Sequence, residues 1–309
     1  MTTKERIKKA VVEVLPSTGR TCIWMLKITV AVSFAMMLLK YFNILPWISD
    51  AIGPVFKYFG LPGSAALAYL SGYFVNNYSA IAVISTLDLD WRATTIIATM
   101  LLCSHSMILE TAVLAKTGAS SVRMVIVRTL SALFLGWLLN VLLPETGSAF
   151  ASAATARCTE SFQTMFIGWL IPTLKLCLLM TVIIYALNIF QKLLNEFGYM
   201  AVIARVFSPL MYVFGLPAST AFLWLVANIV GLGYGAAAMM GEIDGGNISH
   251  RDVLLLDTHI SISHSNLEDL SLMATIGGVW WIMLCIRLAM AVLLVWEQRL
   301  EMAVLERRK

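Results

Sequence analysis

Apolar residues in this chain come in long, nearly unbroken runs instead of the one-faced stripes of a soluble helix. Several runs reach about 20 residues, the length that crosses a hydrocarbon core. They predict helices at roughly 21–43, 63–86, 92–116, 120–143, 165–191, 218–240, 252–274 and 278–300. Two shorter segments, 46–59 and 197–214, are apolar enough to be buried, and periodicity leaves open whether they span, re-enter or lie at the interface. The stretch from Pro144 to Glu160 is small, polar and loop-like, and it divides the chain almost equally.

The two parts repeat each other. Phe59-Gly60-Leu61-Pro62 recurs as Phe214-Gly215-Leu216-Pro217, an offset of 155 that also pairs Pro54 with Pro209 and Ser64 with Ser219. Further on, residues 92–137 align without a gap to 251–296 at an offset of 159. Polar matches carry this alignment: Arg92 with Arg251, Ser104-His105-Ser106 with Ser263-His264-Ser265, and Arg128 with Arg287, while Glu110 falls opposite Asp269. The expected fold is all-α, a polytopic membrane protein of two homologous repeats with about five helical segments each and interrupted helices. Its expected divisions are a basic N-terminus 1–20, a first repeat 21–144, a loop 145–162, a second repeat 163–301 and a basic tail 302–309.

Composition narrows the class. The chain is 59% hydrophobic and 13% charged, with a mean hydropathy of +0.82. Soluble domains are nearer 45–50% apolar and about 25% charged, so a bilayer is the expected surrounding. The formal charge of +4 sits at the termini and in short loops, a pattern of membrane topology and not of nucleic-acid binding. Both termini are basic, which the positive-inside rule places in the cytoplasm of a bacterial inner membrane. Lys57, Lys116, Arg123, Lys192 and Arg251 are expected on that same side if each half crosses five times, and an odd number of crossings inverts the second half. Five cysteines show no CxxC spacing, so neither a disulfide framework nor a zinc knuckle is indicated. Walker A, HExxH and GxSxG motifs are absent from the sequence, which points away from an enzyme and names no cofactor.

The candidate chemistry lies in the polar residues of apolar runs. An ionisable group at membrane depth is costly and marks a functional candidate. His105 and His264 each fall near the middle of an expected helix, flanked by serines and followed five residues on by a carboxylate. On a regular helix Asp257, Ser261, His264 and Glu268 share one face, with Asp269 pointing elsewhere. Glu110 is five residues from His105, roughly 140° around a regular helix, so only local unwinding lets the two meet. The second half is therefore expected to supply more of the site. Asn76-Asn77-Tyr78 and the glycines Gly231, Gly233 and Gly235 interrupt corresponding helices, and matched interruptions point to a transporter's binding site. Arg128 and Arg287 are the expected counter-charges or gating residues. For Asp257 and Glu268, pairing with those arginines is the plainer alternative.

The paired FGLP segments, the interrupted helices Ser71–Ile84 and Val226–Met239, and the polar helices after them resemble the Gate, or nucleoside-recognition, membrane family. Relatives of that domain include nucleoside transporters, gate domains of ferrous-iron transporters and spore maturation proteins. The resemblance implies a permease for a small polar or charged solute, nucleoside-like in one form, bound at the midplane between two repeats. A divalent-metal permease and a non-transport assembly subunit are the alternatives. The expected partners are the lipid bilayer, a small-molecule or ion substrate, and a second membrane subunit or second copy.

Overall fold

The computed structural model describes residues 2–145 and 161–307, so the central loop expected at 144–160 lies almost wholly outside the described residues. Everything regular in them is helical. The first half contains α1 (Thr3–Tyr41), α2 (Ile44–Lys57), α3 (Ala65–Phe74), α4 (Asn77–Ile84), α5 (Trp91–Ser104), α6 (Met107–Ala115) and α7 (Ser121–Leu142). The second follows the same order with α8 (Phe162–Glu196), α9 (Tyr199–Val213), α10 (Ala221–Ile229), α11 (Leu232–Asp244), α12 (His250–Ile262), α13 (Glu268–Thr275) and α14 (Trp280–Arg307). A short 3-10 turn, Ala218–Thr220, precedes α10.

Four expected helices are therefore not single helices. Segments 63–86 and 218–240 fold into hairpins: α3 packs closely on α4, and α10 on α11. Small residues allow the approach. A Cβ on Gly72 would come within 2.9 Å of the Ala80 methyl, and one on Gly235 within 2.7 Å of the Ala227 methyl. Helices of 8 to 13 residues are about 12–20 Å long, so neither hairpin arm crosses a core of about 30 Å. Segments 92–116 and 252–274 break at their Ser-His-Ser motifs and continue beyond the break.

Four segments among the described residues are long and apolar enough to cross a membrane: Trp91–Ala115, Ser121–Leu142, Phe162–Leu194 and Trp280–Arg307. Helix α1 begins at Thr3, earlier than the start expected near residue 21 after a basic N-terminus, because Thr2 and Glu5 form a reciprocal capping box. It packs against α8 more extensively than any other helix pair does. Contacts between the two run in opposite directions along the chain: Arg6 meets Glu196 at 3.0 Å, Lys192 meets Glu13 at 3.1 Å, and the Trp169 indole donates to Ser33 at 2.8 Å. The helices are thus antiparallel. So are α7 and α14, where Arg123 at the start of one pairs with Glu297 and Glu301 late in the other, at 3.1 and 2.5 Å.

Helices α2 and α9 each lead into an FGLP turn. Gly60 and Gly215 take φ of 65° and 71°, a left-handed conformation cheap only for glycine, and the following leucine amides bond back to Phe56 and Met211. Tyr58 at the end of α2 accepts from Asn140 near the end of α7. Lys57 therefore stands at the end where α7 finishes, opposite Arg123. The expectation that Lys57 shares a side with Lys116 and Arg123 is corrected, because the hairpins reduce the number of crossings.

The broken helices also interlock the halves. Leu270, Leu272 and Met273 of α13 are buried in a core that α3, α4, α5 and α7 of the first half share with α8 and α14 of the second. Leu114 of α6 is buried in the core built on α9 to α12. The second part of each broken helix thus packs against both halves.

Candidate functional site

The site grows from the way α5 and α12 end. Ser106 and Ser265 occupy left-handed conformations, φ 47° and 48°, that non-glycine residues adopt only when their surroundings hold them there. Their amides leave the helix and donate to hairpin carbonyls, Ser106 to Gly72 at 2.9 Å and Ser265 to Ala227 at 3.1 Å. A terminating helix leaves carbonyls without partners. The buried arginines take these up: Arg128 donates to Cys103 O at 3.1 Å and His105 O at 2.8 Å, and Arg287 to Ile262 O and His264 O, both at 3.1 Å. A cation at a helix C-terminus also suits the helix dipole. Arg287 further donates to Leu102 O of the first half at 3.1 Å, tying the halves together.

The breaks turn both imidazoles into the interface between the halves, with ring centroids 5.2 Å apart. Each ring is fixed by its Nδ1, which bonds the carbonyl four residues back: Leu101 for His105 at 3.0 Å and Ile260 for His264 at 2.7 Å. A carbonyl only accepts, so each Nδ1 carries a proton; each Nε2 then presents a lone pair in the neutral ring and donates to the carboxylates it faces in the imidazolium. His105 Nε2 faces Glu110 Oε1 at 3.0 Å and Asp269 Oδ2 at 3.3 Å, and His264 Nε2 faces the same Glu110 oxygen at 3.3 Å. Arg128 holds the other Glu110 oxygen at 2.5 Å. His105, His264 and Asp269 are buried, and their converging atoms all lie within 4.8 Å of one another.

Other expected residues fall into place around this centre or away from it. Asn76 caps α4, its Oδ1 accepting from the Ser79 amide at 2.9 Å. The buried Asn77 carboxamide lies beside Asp269, short of good hydrogen-bond geometry. Gly231 makes the corresponding hairpin turn with φ 112°, Gly235 serves the packing of the hairpin, and a Cβ on Gly233 would meet open space. The expected single face of Asp257, Ser261, His264 and Glu268 does not exist, because the chain is out of helix from Ser263 to Leu267. Glu268 instead accepts from the Tyr78 hydroxyl of the other half. Asp257 lies apart from the centre, accepting from Thr117 at 2.7 Å with its second oxygen buried and unpartnered. Neither carboxylate pairs with an arginine.

Two further expectations are corrected. Glu110, expected to meet His105 only through local unwinding, does so at the break after Ser104 and faces both histidines, so the second half does not supply more of the cluster. Asp269, expected to point elsewhere, is a member; its alignment opposite Glu110 was the signal that could have found it. Tyr78 was marked only as part of the Asn76–Tyr78 interruption, and Thr117 and Asn266 gave no signal in the sequence.

Residues 22–121 match the Gate family model, described as nucleoside recognition. The stretch contains Asn76, Asn77, His105 and Glu110. The resemblance read from the FGLP segments and interrupted helices is thus shown over most of the first half. Over 282 residues the chain is 29% identical to the uncharacterized membrane protein YvoD of Bacillus subtilis, an alignment covering 90% of each protein.

Proposed function

We propose that this membrane protein is a permease, and that a small polar or charged solute binds where its two halves exchange histidine and carboxylate partners. The observation that carries this reading is the reciprocal pairing across the halves: His105 of the first with Asp269 of the second, and His264 of the second with Glu110 of the first. Groups so costly at membrane depth are retained where a solute or ion must be met. Their position beside discontinuous helices is the arrangement of secondary transporters.

Three crossings per half accord with the geometry: α1, the broken α5–α6 and α7, then α8, the broken α12–α13 and α14. An odd number inverts the second half, and the antiparallel pairings of α1 with α8 and α7 with α14 support that inversion. Both ends of the chain then share one side of a bacterial inner membrane, with Lys116, Arg123, Lys192 and Arg251, and the end of α7 and the start of α8 lie on the other. The Gate description places nucleosides on the list of solutes to try.

The test is uptake by purified protein in liposomes, against nucleosides, nucleobases, organic acids and divalent cations. Glu110→Gln abolishes uptake of the true solute while detergent stability is largely kept. Unchanged uptake in this variant would remove the cluster from the transport path.

A further inference from the structure

Two imidazole nitrogens and two carboxylates crowd together at the centre of this protein. Both Nδ1 protons are committed to Leu101 O and Ile260 O, so in the neutral rings His105 Nε2 and His264 Nε2 present lone pairs. Glu110 Oε1 lies 3.0 Å from His105 Nε2 and 3.3 Å from His264 Nε2, and Asp269 Oδ2 lies 3.3 Å from His105 Nε2. His264 Nε2 is buried without a hydrogen bond, and the buried Asn77 carboxamide beside Asp269 has none either. With neutral rings these lone pairs repel in a low-dielectric interior unless a cation, a proton or a metal ion, sits among them.

We propose that His105, His264, Asp269 and Glu110 together bind one divalent transition-metal ion. This inference rests on the reading of the cluster as the solute site and names the solute class. Two imidazoles and two carboxylates form a donor set suited to zinc, iron or manganese. Bonds of about 2.0–2.1 Å in a tetrahedron put neighbouring ligand atoms roughly 3.3 Å apart, close to the three imidazole–carboxylate contacts of 3.0, 3.3 and 3.3 Å. The outer groups are those a ligand set requires: a backbone carbonyl fixes each histidine tautomer, and Arg128 holds the far oxygen of Glu110. The two carboxylates offset the charge of the ion. The ligands come from both halves, so a relative movement of the halves opens the set and releases the ion.

The experiment uses the full chain, purified in detergent and stripped with chelator, with Co(II) and Zn(II) as probes. One equivalent of metal binds per chain, Co(II) shows the visible bands of a four- or five-coordinate site, and X-ray absorption shows nitrogen and oxygen donors. Asp269→Asn and His264→Gln each lower affinity by more than about 100-fold, exceeding the 10–100-fold typical of outer-sphere changes. Substoichiometric binding, sulfur donors, or stoichiometric binding unchanged in the variants would overturn the proposal. Should a variant not fold, the donor spectrum of the wild-type chain decides alone. A proton on His105 is the rival cation, and its sole occupancy appears as failure to bind metal. Flux of metal into liposomes separates the two readings: metal bound but never carried leaves this site standing and removes the permease, while uptake of another solute without metal binding does the reverse.

Discussion

In α5–α6 the chain leaves the helix for two residues, His105 and Ser106; in α12–α13 it leaves for five, Ser263 to Leu267. Matching atoms nevertheless do matching work at both breaks. The serines share a left-handed φ, the histidines bond the carbonyls four back, and the arginines cap carbonyls at corresponding positions. The difference lies in what the arginine reaches next. Arg128 grips Glu110 at 2.5 Å, whereas Arg287 donates to the Asn266 side chain at 2.9 Å. Asp269, at the position matching Glu110, is one methylene shorter and faces His105 instead. The scaffold was thus kept in both halves while one carboxylate was freed from its arginine. Backbone carbonyls at a helix end tolerate no change in their partner, but a carboxylate can exchange one cationic neighbour for another.

The largest expected effect tests that difference directly. Arg128→Ala and Arg287→Ala each remove a buried cation and each cost about 3–5 kcal/mol in detergent unfolding. Adding Glu110→Gln to Arg128→Ala recovers more than about 1 kcal/mol, because the stranded carboxylate is then neutral. Adding Asp269→Asn to Arg287→Ala recovers less than about 0.5 kcal/mol, since the groups left stranded are carbonyls and Asn266. Equal recovery in both double variants would erase the distinction between the halves.

The hairpin turns come next. Gly231→Ala forces a side chain into φ 112° and costs about 1–3 kcal/mol, while Asn76→Ala loses a cap worth about 1 kcal/mol. Thermal unfolding of the two variants orders them, and the reverse order would mean that the turns are held by their packing and not by their local conformation.

The smallest effect concerns Asp257, which aligns with Ala98 in the first half. Leu114 O lies 2.6 Å from the Thr117 hydroxyl, so its single proton has another acceptor when the carboxylate goes. Asp257→Ala therefore costs no more than about 1 kcal/mol, the scale of one net hydrogen bond, by the same unfolding measurement. A loss of several kcal/mol would show that this carboxylate organises the second half in a way its alanine counterpart cannot.

Apolar run length and polar spacing were enough to give the membrane class, the matched Ser-His-Ser motifs and the places where helices are interrupted. Apolar length is set residue by residue, and a repeat with polar matches survives as a pattern of letters. That segments 63–86 and 218–240 turn back as hairpins emerges from the packing, since a turn-back and a kink leave the same polar interruption in an apolar run; the packing settles it. It also decided that the Ser-His-Ser motifs end their helices. Serine and histidine are tolerated within a helix, and what stops it here is a hairpin carbonyl that accepts the serine amide and an arginine that caps the freed carbonyls. Helical-wheel reasoning across those motifs consequently failed, placing Asp257 and Glu268 beside His264, turning Asp269 away and letting the candidate Glu110 reach His105 only through unwinding. Which carboxylate meets which histidine depends on contacts between the halves, and those distant pairings cannot be read from spacing along one helix.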